Sequence, residues 1–176
     1  MKKTIFLVLI CLFSAKSFSQ QFSLTGGTLL EMVDDLPFDG FGYYAGIATN
    51  IPIKNNWSFE PEIRFLNIEH NDNYGISKIH YLEIPIRLEH KTKLKNNNYF
   101  KYNFGGYFNV SLTGSDIQYL DTYQIYRNVS NMFGVGVLCG AGIEINKFYL
   151  GLEPNFRYYD VYGAGFSFNT KIAYRF

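Results

Sequence analysis

From Phe22 to Phe176, apolar and polar residues alternate with a period of two in eight segments. None of them shows the 3.6-residue period of a helix. The segments are 22–30, 40–51, 57–69, 79–89, 99–112, 131–145, 148–159 and 165–176. In the fifth, one parity reads Phe100, Tyr102, Phe104, Phe108, Val110, Leu112. In the last it reads Phe166, Phe168, Ile172, Tyr174, Phe176. Most segments are longer than the ~5–6 residues usual for a soluble strand. They match the ~9–11 residues that a tilted strand needs to cross a bilayer. The pattern predicts an all-β chain folded as an eight-stranded antiparallel up-and-down transmembrane β-barrel.

Alternation alone does not say which parity faces inward, since a soluble lipocalin-like barrel would have the same period with the faces exchanged. Volume decides. Eight strands leave an interior just wide enough for side chains to fill. The chain carries 17 Phe and 15 Tyr, and the apolar parity is too bulky to fit there. The other parity holds Gly42, Gly46, Gly105, Gly134, Gly136, Gly140, Gly142, Gly151 and Gly165. The small and polar parity is therefore expected inside, with the rings toward lipid.

That inner parity also carries Glu60, Glu62, Arg64, Glu83, Arg87, Glu89, Lys101, Glu144, Glu153, Arg157, Lys171 and Arg175. Buried charges need partners, because an orphan is costly. Folding the hairpins is expected to bring Arg64 to Glu83, Glu62 to Arg87, Glu153 to Lys171 and Lys101 to Glu144. The result is a polar interior that plugs the barrel. Pro61, Pro85 and Pro154 lie within strands, where each should mark a bulge or a missing ladder bond.

The chain begins Met1-Lys2-Lys3 and continues with an apolar run to Ala15, followed by Lys16. A positive start and an apolar stretch of about a dozen residues read as a secretory signal peptide. Ser17 and Ser19 supply the small residues of a cleavage site, so residues 1–19 are expected to be the leader and 20–176 the barrel domain. The run is too short for a membrane-spanning helix, which needs ~20 apolar residues. Cys11 follows Ile10 within the run and is not a lipid-attachment site. Removing the leader leaves 13 basic residues against 15 acidic ones, a balance that gives no sign of nucleic-acid binding. Cys139 would then be the sole cysteine, expected as a small buried or lipid-facing residue.

An even strand count puts both termini on one side, in the periplasm. Pro52–Asn56, His90–Asn98 and Asn146–Lys147 are then periplasmic turns. Glu31–Asp39, His70–Lys78, Thr113–Ser130 and Asp160–Ala164 are outer loops. The turns carry Lys54, Lys91, Lys93, Lys95 and Lys147 with no acid, whereas Asp residues dominate the loops. The longest connection, with Tyr119, Tyr123 and Tyr126, is a candidate contact surface.

Several stretches carry a family resemblance: Tyr81-Leu-Glu-Ile-Pro-Ile-Arg-Leu88, Gly134-Val-Gly-Val-Leu-Cys-Gly-Ala-Gly-Ile-Glu144, Leu152-Glu-Pro-Asn-Phe-Arg-Tyr-Tyr159 and Ile172-Ala-Tyr-Arg-Phe176. With them the mature chain resembles the outer-membrane protein β-barrel family that includes PorT-like proteins, small barrels of the OmpA/OmpX type. The resemblance implies a bacterial outer-membrane location, contact with outer-membrane lipid, and a supporting role in secretion or envelope assembly. The ending, with Thr170, Ile172, Tyr174 and Phe176 on one parity, looks like the C-terminal signal read by the barrel-assembly machinery during insertion.

The search for chemistry yields little. A hydrolase needs a nucleophile beside a His oriented by a carboxylate. His70 with Asp72, and His80 with Ser77, are the nearest approaches, and neither lies in a nucleophile elbow. Three scattered His do not suggest a zinc site. The mid-strand Gly134-Val-Gly136 and Gly140-Ala-Gly142 have no following helix and are not a nucleotide loop. No catalytic residue, metal or cofactor is expected. A structural or binding role through the outer loops or periplasmic rim leads, ahead of a narrow passive porin-like channel or a lipid A-modifying enzyme.

Overall fold

The computed structural model describes residues 21–33, 40–71, 75–120, 123–128, 132–160 and 163–176. The expected leader and its cleavage site lie outside the described residues. The strands are β1 (Gln21–Val33), β2 (Gly40–Lys54), β3 (Trp57–Asn71), β4 (Gly75–Lys93), β5 (Tyr99–Leu120), β6 (Tyr123–Asn128), β7 (Phe133–Ile145), β8 (Phe148–Tyr159) and β9 (Gly163–Arg175). All pairings are antiparallel, in the order β4-β3-β2-β1-β9-β8-β7-β5, and β4 pairs with β5 to close an eight-stranded barrel. Closure removes the edges of the eight-stranded wall, which satisfies the backbone of a strand exposed to lipid. β6 pairs only with the far half of β5, so it extends one hairpin beyond the barrel wall.

Several expected loops are strand instead. Glu31–Val33, His70–Asn71, Gly75–Lys78 and Gly163–Ala164 all belong to strands. The expected loop Thr113–Ser130 is mostly the end of β5 and β6, paired from Ser115↔Asn128 to Leu120↔Tyr123. Pairing outlasts the apolar alternation there because the backbone ladder does not depend on the burial of a face. At the opposite end β2 turns into β3 through Asn55 and Asn56, both at positive φ (53° and 67°). That tight turn needs φ > 0 at both central residues, which Asn tolerates. The first and last strands meet at this same end, where Phe176 N–H donates to the Phe22 carbonyl at 3.0 Å. Below, the end with the termini is the turn end, and the other is the loop end.

The three in-strand prolines mark no bulge. The β2–β3 ladder passes from Ala48↔Glu62 to Ile51↔Phe59, skipping the pairs around Pro61 without changing register. β3–β4 does the same at Pro85, and β7–β8 at Pro154. A missing N–H costs ladder bonds but adds no residue, so the strands stay in step. Bulges occur elsewhere, between Pro52 and Lys54 and between His80 and Tyr81.

The outward face is apolar. Val137, Leu150, Leu152 and Phe148 are among its most exposed residues, at 60–64%. Along β2 this face runs from Phe41 to Ile53. That span of twelve steps rises about 30 Å along the axis at the usual strand tilt, close to the hydrocarbon thickness of a bilayer. Cys139 lies exposed on it.

The seam between β1 and β9 skips two pairs, between Gly26↔Ile172 and Leu29↔Asn169. Side chains replace the missing ladder bonds. Thr28 N–H donates to Thr170 Oγ1 at 2.9 Å, and the Tyr44 hydroxyl donates to the Thr170 carbonyl at 2.9 Å. Gly27 leaves room for this arrangement, since a Cβ there would press on the Thr170 carbonyl and on the Tyr44 ring. Gly27→Val should therefore destabilise the barrel by ~1–3 kcal/mol. A lower urea midpoint for unfolding from lipid vesicles is the expected readout; an unchanged midpoint would refute the close fit.

Candidate functional site: the charged barrel interior

Inner-parity side chains from seven of the eight barrel strands meet along the axis. Among the described residues they comprise seven carboxylates (Glu31, Glu60, Glu62, Glu83, Glu89, Glu144, Glu153) and six cationic groups (Arg64, Arg87, Lys101, Arg157, Lys171, Arg175), with His70 beside Glu31. All are buried except Arg175, which stays 14% exposed at the turn end.

The centre is built on two arginines. Arg64 Nε donates to Glu83 Oε1 at 2.6 Å, and a second nitrogen lies 3.5 Å from Glu153. Arg87 donates to Glu62 Oε2 at 2.6 Å and meets both oxygens of Glu153 at 2.9 and 3.1 Å. This two-pronged contact suits the planar guanidinium fork. Lys171 Nζ donates to Glu60 at 2.6 Å and to Glu62 at 3.3 Å, and Thr25 Oγ1 donates to the other Glu62 oxygen at 2.6 Å. Toward the loop end, Arg157 lies 3.2 Å from Glu31 and 3.5 Å from Glu83, and Tyr159 OH donates to Glu31 at 2.8 Å. Toward the turn end, Lys101 bridges Glu89 at 2.7 Å and Glu144 at 2.8 Å, and Arg175 meets Glu144 at 2.9 Å.

Cross-strand register explains the partners. Arg64 and Glu83 are direct neighbours in the β3–β4 ladder. Glu62 reaches Arg87 diagonally, because Arg87 lies opposite Glu60. Lys101 lies opposite Gly142, and its flexible stem spans the two positions to Glu144. Lys171 lies opposite Gly151 and is 3.9 Å from Glu153, a weaker contact than its bonds to Glu60 and Glu62.

Two features of the interior do not follow from the sequence reading. First, five tyrosines (Tyr44, Tyr81, Tyr107, Tyr149 and Tyr159) are buried inside, although the rings were expected on the lipid side. Glycines on adjacent positions make the room: a Cβ on Gly136 would strike Tyr107, and one on Gly142 would come within 2.7 Å of the Tyr149 ring. The Arg64 guanidinium stacks 4.7 Å from the Tyr44 ring centre, and Arg157 lies 5.3 Å from Tyr107. Second, an apolar layer crosses the interior near the loop end. Leu29, Leu66, Ile68, Ile79 and Met132 cluster there with Tyr44, Tyr81 and Tyr159. Glu31 and His70, expected in outer loops, sit on its loop-end side, 3.5 Å apart. The signal for all of them was parity: each continues the inner set of its strand.

Among the described residues His70 and His80 do not assemble a catalytic geometry, and Asp72 lies outside them. His70 faces Ser77 across the ladder, but Glu31, His70 and Ser77 are each at most 2% exposed. His80 stacks on lipid-facing Phe65, with ring centres 5.8 Å apart. Among the described residues, no group of three or more His, Cys, Asp or Glu side chains is arranged to hold a metal. A small recess lies at the turn end, lined by Ser23, Glu89, Lys101, Glu144, Lys147 and Tyr149 among others.

Removing Arg87 would take the closest cation from both Glu62 and Glu153 and leave buried carboxylate charge underpaired, so Arg87→Met should cost about 3–5 kcal/mol of stability. Replacing Glu62, Arg87 and Glu153 together by apolar residues should cost less than Arg87→Met alone. Equilibrium unfolding in urea checks this order; equal losses would show that pairing does not govern stability there.

The sequence matches a known family, described as the outer membrane protein beta-barrel domain, over residues 18–160. No curated relative matches the chain. Among solved structures, the attachment invasion locus protein Ail of Yersinia pestis is similar in fold, with 12% identity, a TM-score of 0.50, and coverage of 89% of this chain and 97% of Ail. Neisserial surface protein A matches with 11% identity, a TM-score of 0.52, and the same coverages. At these identities the likeness speaks for the fold alone. The closed eight-stranded barrel, its apolar exterior and the family match over most of its length together identify this chain as a member of the outer-membrane β-barrel family, a small barrel of the OmpA/OmpX type.

Proposed function

We propose that this protein is a plugged outer-membrane barrel with a structural or binding role, exercised through its loop-end segments or its turn-end rim rather than through its lumen. The observation that carries this reading is the filled interior. Arg64, Glu83, Glu153 and Arg157 are fully buried along the axis, and Leu66 and Ile68 close over them with no exposed surface. A lumen blocked by both paired charge and packed hydrocarbon gives ions no wetted path. An aqueous channel is a property of wider barrels with more strands.

In this reading residues 1–19 are removed on export, and the turn end with both termini faces the periplasm. Insertion runs through the barrel-assembly machinery, which reads the outward parity of the last strand. Two observations support that last step: Ile172 and Phe176 stand exposed at 54% and 64%, and Thr170 lies on the same face. The resemblance to PorT-like proteins supports a role in secretion or envelope assembly. The β5–β6 hairpin, which continues past the barrel wall, offers a surface for such a contact.

Planar-bilayer recording tests the plugged lumen. The folded protein should insert without discrete conductance steps. Reproducible single-channel openings would replace this reading with that of a narrow channel.

A further inference from the structure

The two ends of the barrel meet the membrane differently. At the loop end, the outward face of β3 turns polar at Asn67 and Glu69, and Glu69 pairs with Lys78 at 2.9 Å with both side chains about half exposed. The strands continue past the apolar belt there. At the turn end the belt runs up to the turns themselves. Ile53 is 60% exposed beside Lys54, and Phe148 is 60% exposed beside Lys147. The β2–β3 and β7–β8 turns therefore lie flush with the edge of the hydrocarbon, and β4 continues three residues past its pairing with Trp57, carrying Lys91 and Lys93 beyond it.

On that rim stand Lys54, Lys91, Lys93, Lys95 and Lys147, and no Asp or Glu occurs in the three turns. All five are exposed or half-buried. The nearest interior carboxylates, Glu89 and Glu144, point into the barrel and are engaged by Lys101 and Arg175. Lys147 Nζ lies 6.0 Å from the ring centre of Tyr174, on the outward parity of β9, which holds that ammonium group at the depth of lipid headgroups with its stem against apolar surface. Lys91 Nζ lies 5.3 Å from the ring centre of Tyr99, which shares the inward parity of Lys101 at the mouth of the barrel.

We infer that the turn-end lysine rim binds the phosphate groups of anionic phospholipids, so that the barrel gathers negatively charged lipid in the leaflet that this end occupies. The partner follows from charge complementarity and depth. The rim carries a surplus of positive charge, and phosphate is the anion present at that level of a bilayer. The inference deepens the rim-binding part of the function proposed above, and it stands whether or not the lumen conducts.

Electron paramagnetic resonance of spin-labelled lipids tests it on the full barrel domain refolded in phosphatidylcholine vesicles. The motionally restricted component reports lipid in contact with the protein, and comparing spin-labelled phosphatidylglycerol with spin-labelled phosphatidylcholine gives a relative affinity. Wild type should prefer the anionic lipid by about fivefold, the scale of one lysine near a charged surface. The preference should vanish in K54Q/K91Q/K93Q/K95Q/K147Q and persist in K78Q, the loop-end control. Should the fivefold variant not refold, salt decides on wild type: at 1 M the screening length is ~3 Å and the preference should fall to about one. Equal affinity for the two lipids in wild type, or a preference that survives both neutralisation and salt, would overturn the inference. A restricted component that is absent altogether would instead indict the membrane barrel itself.

Discussion

A buried charge without a partner is the one thing an eight-stranded barrel cannot carry cheaply, and this barrel is organised around that constraint. Its interior is too narrow for water to solvate thirteen charged groups. Each carboxylate therefore lies within reach of a cation contributed by another strand. Arg87 on β4 joins Glu62 on β3 to Glu153 on β8, which ties opposite walls of the barrel together. Arg157 and Lys171 extend these ties to β1 and β9. The network acts as an internal cross-brace. It offers a physical reason for a fixed register, because a slip of one residue would turn charges toward lipid and rings toward the axis.

Much of this could be read from the sequence because the side-chain period of a strand is so strict. Phe100, Tyr102 and Phe104 could only share one face, and Lys101 the other. Ionic partners on neighbouring strands followed from counting across the turns, as Arg64 and Glu83 show. Partners on distant walls did not. Nothing in a hairpin reveals that Arg87 meets Glu153, since that contact depends on the curvature of the closed barrel. Strand ends were also poorly legible. Glu31 and His70 look like loop residues because polar groups surround them in sequence, yet parity continues through both. The tyrosines were misread for a different reason. The Tyr107 ring fits the narrow interior over a glycine, and its pairing with Gly136 exists only across strands.

The interior is graded along its axis. An apolar layer crosses it near the loop end, beneath Glu31 and His70, paired charge fills the middle, and a small recess lies at the turn end. The exterior is graded as well. The β2–β3 and β7–β8 turns stop at the belt, and the loop end continues as paired strand. The role proposed above accordingly falls to the two rims rather than to the axis.

Nitroxide labels placed singly from Phe148 to Tyr159, with the protein in phospholipid vesicles, read the inside-out arrangement most directly. Collisions with dissolved oxygen should be frequent at Phe148, Leu150, Leu152, Phe156 and Tyr158, and rare at Tyr149, Gly151, Glu153, Asn155, Arg157 and Tyr159. A scan without that two-residue alternation, or one in which a water-soluble nickel reagent reaches the aromatic positions, would contradict the account.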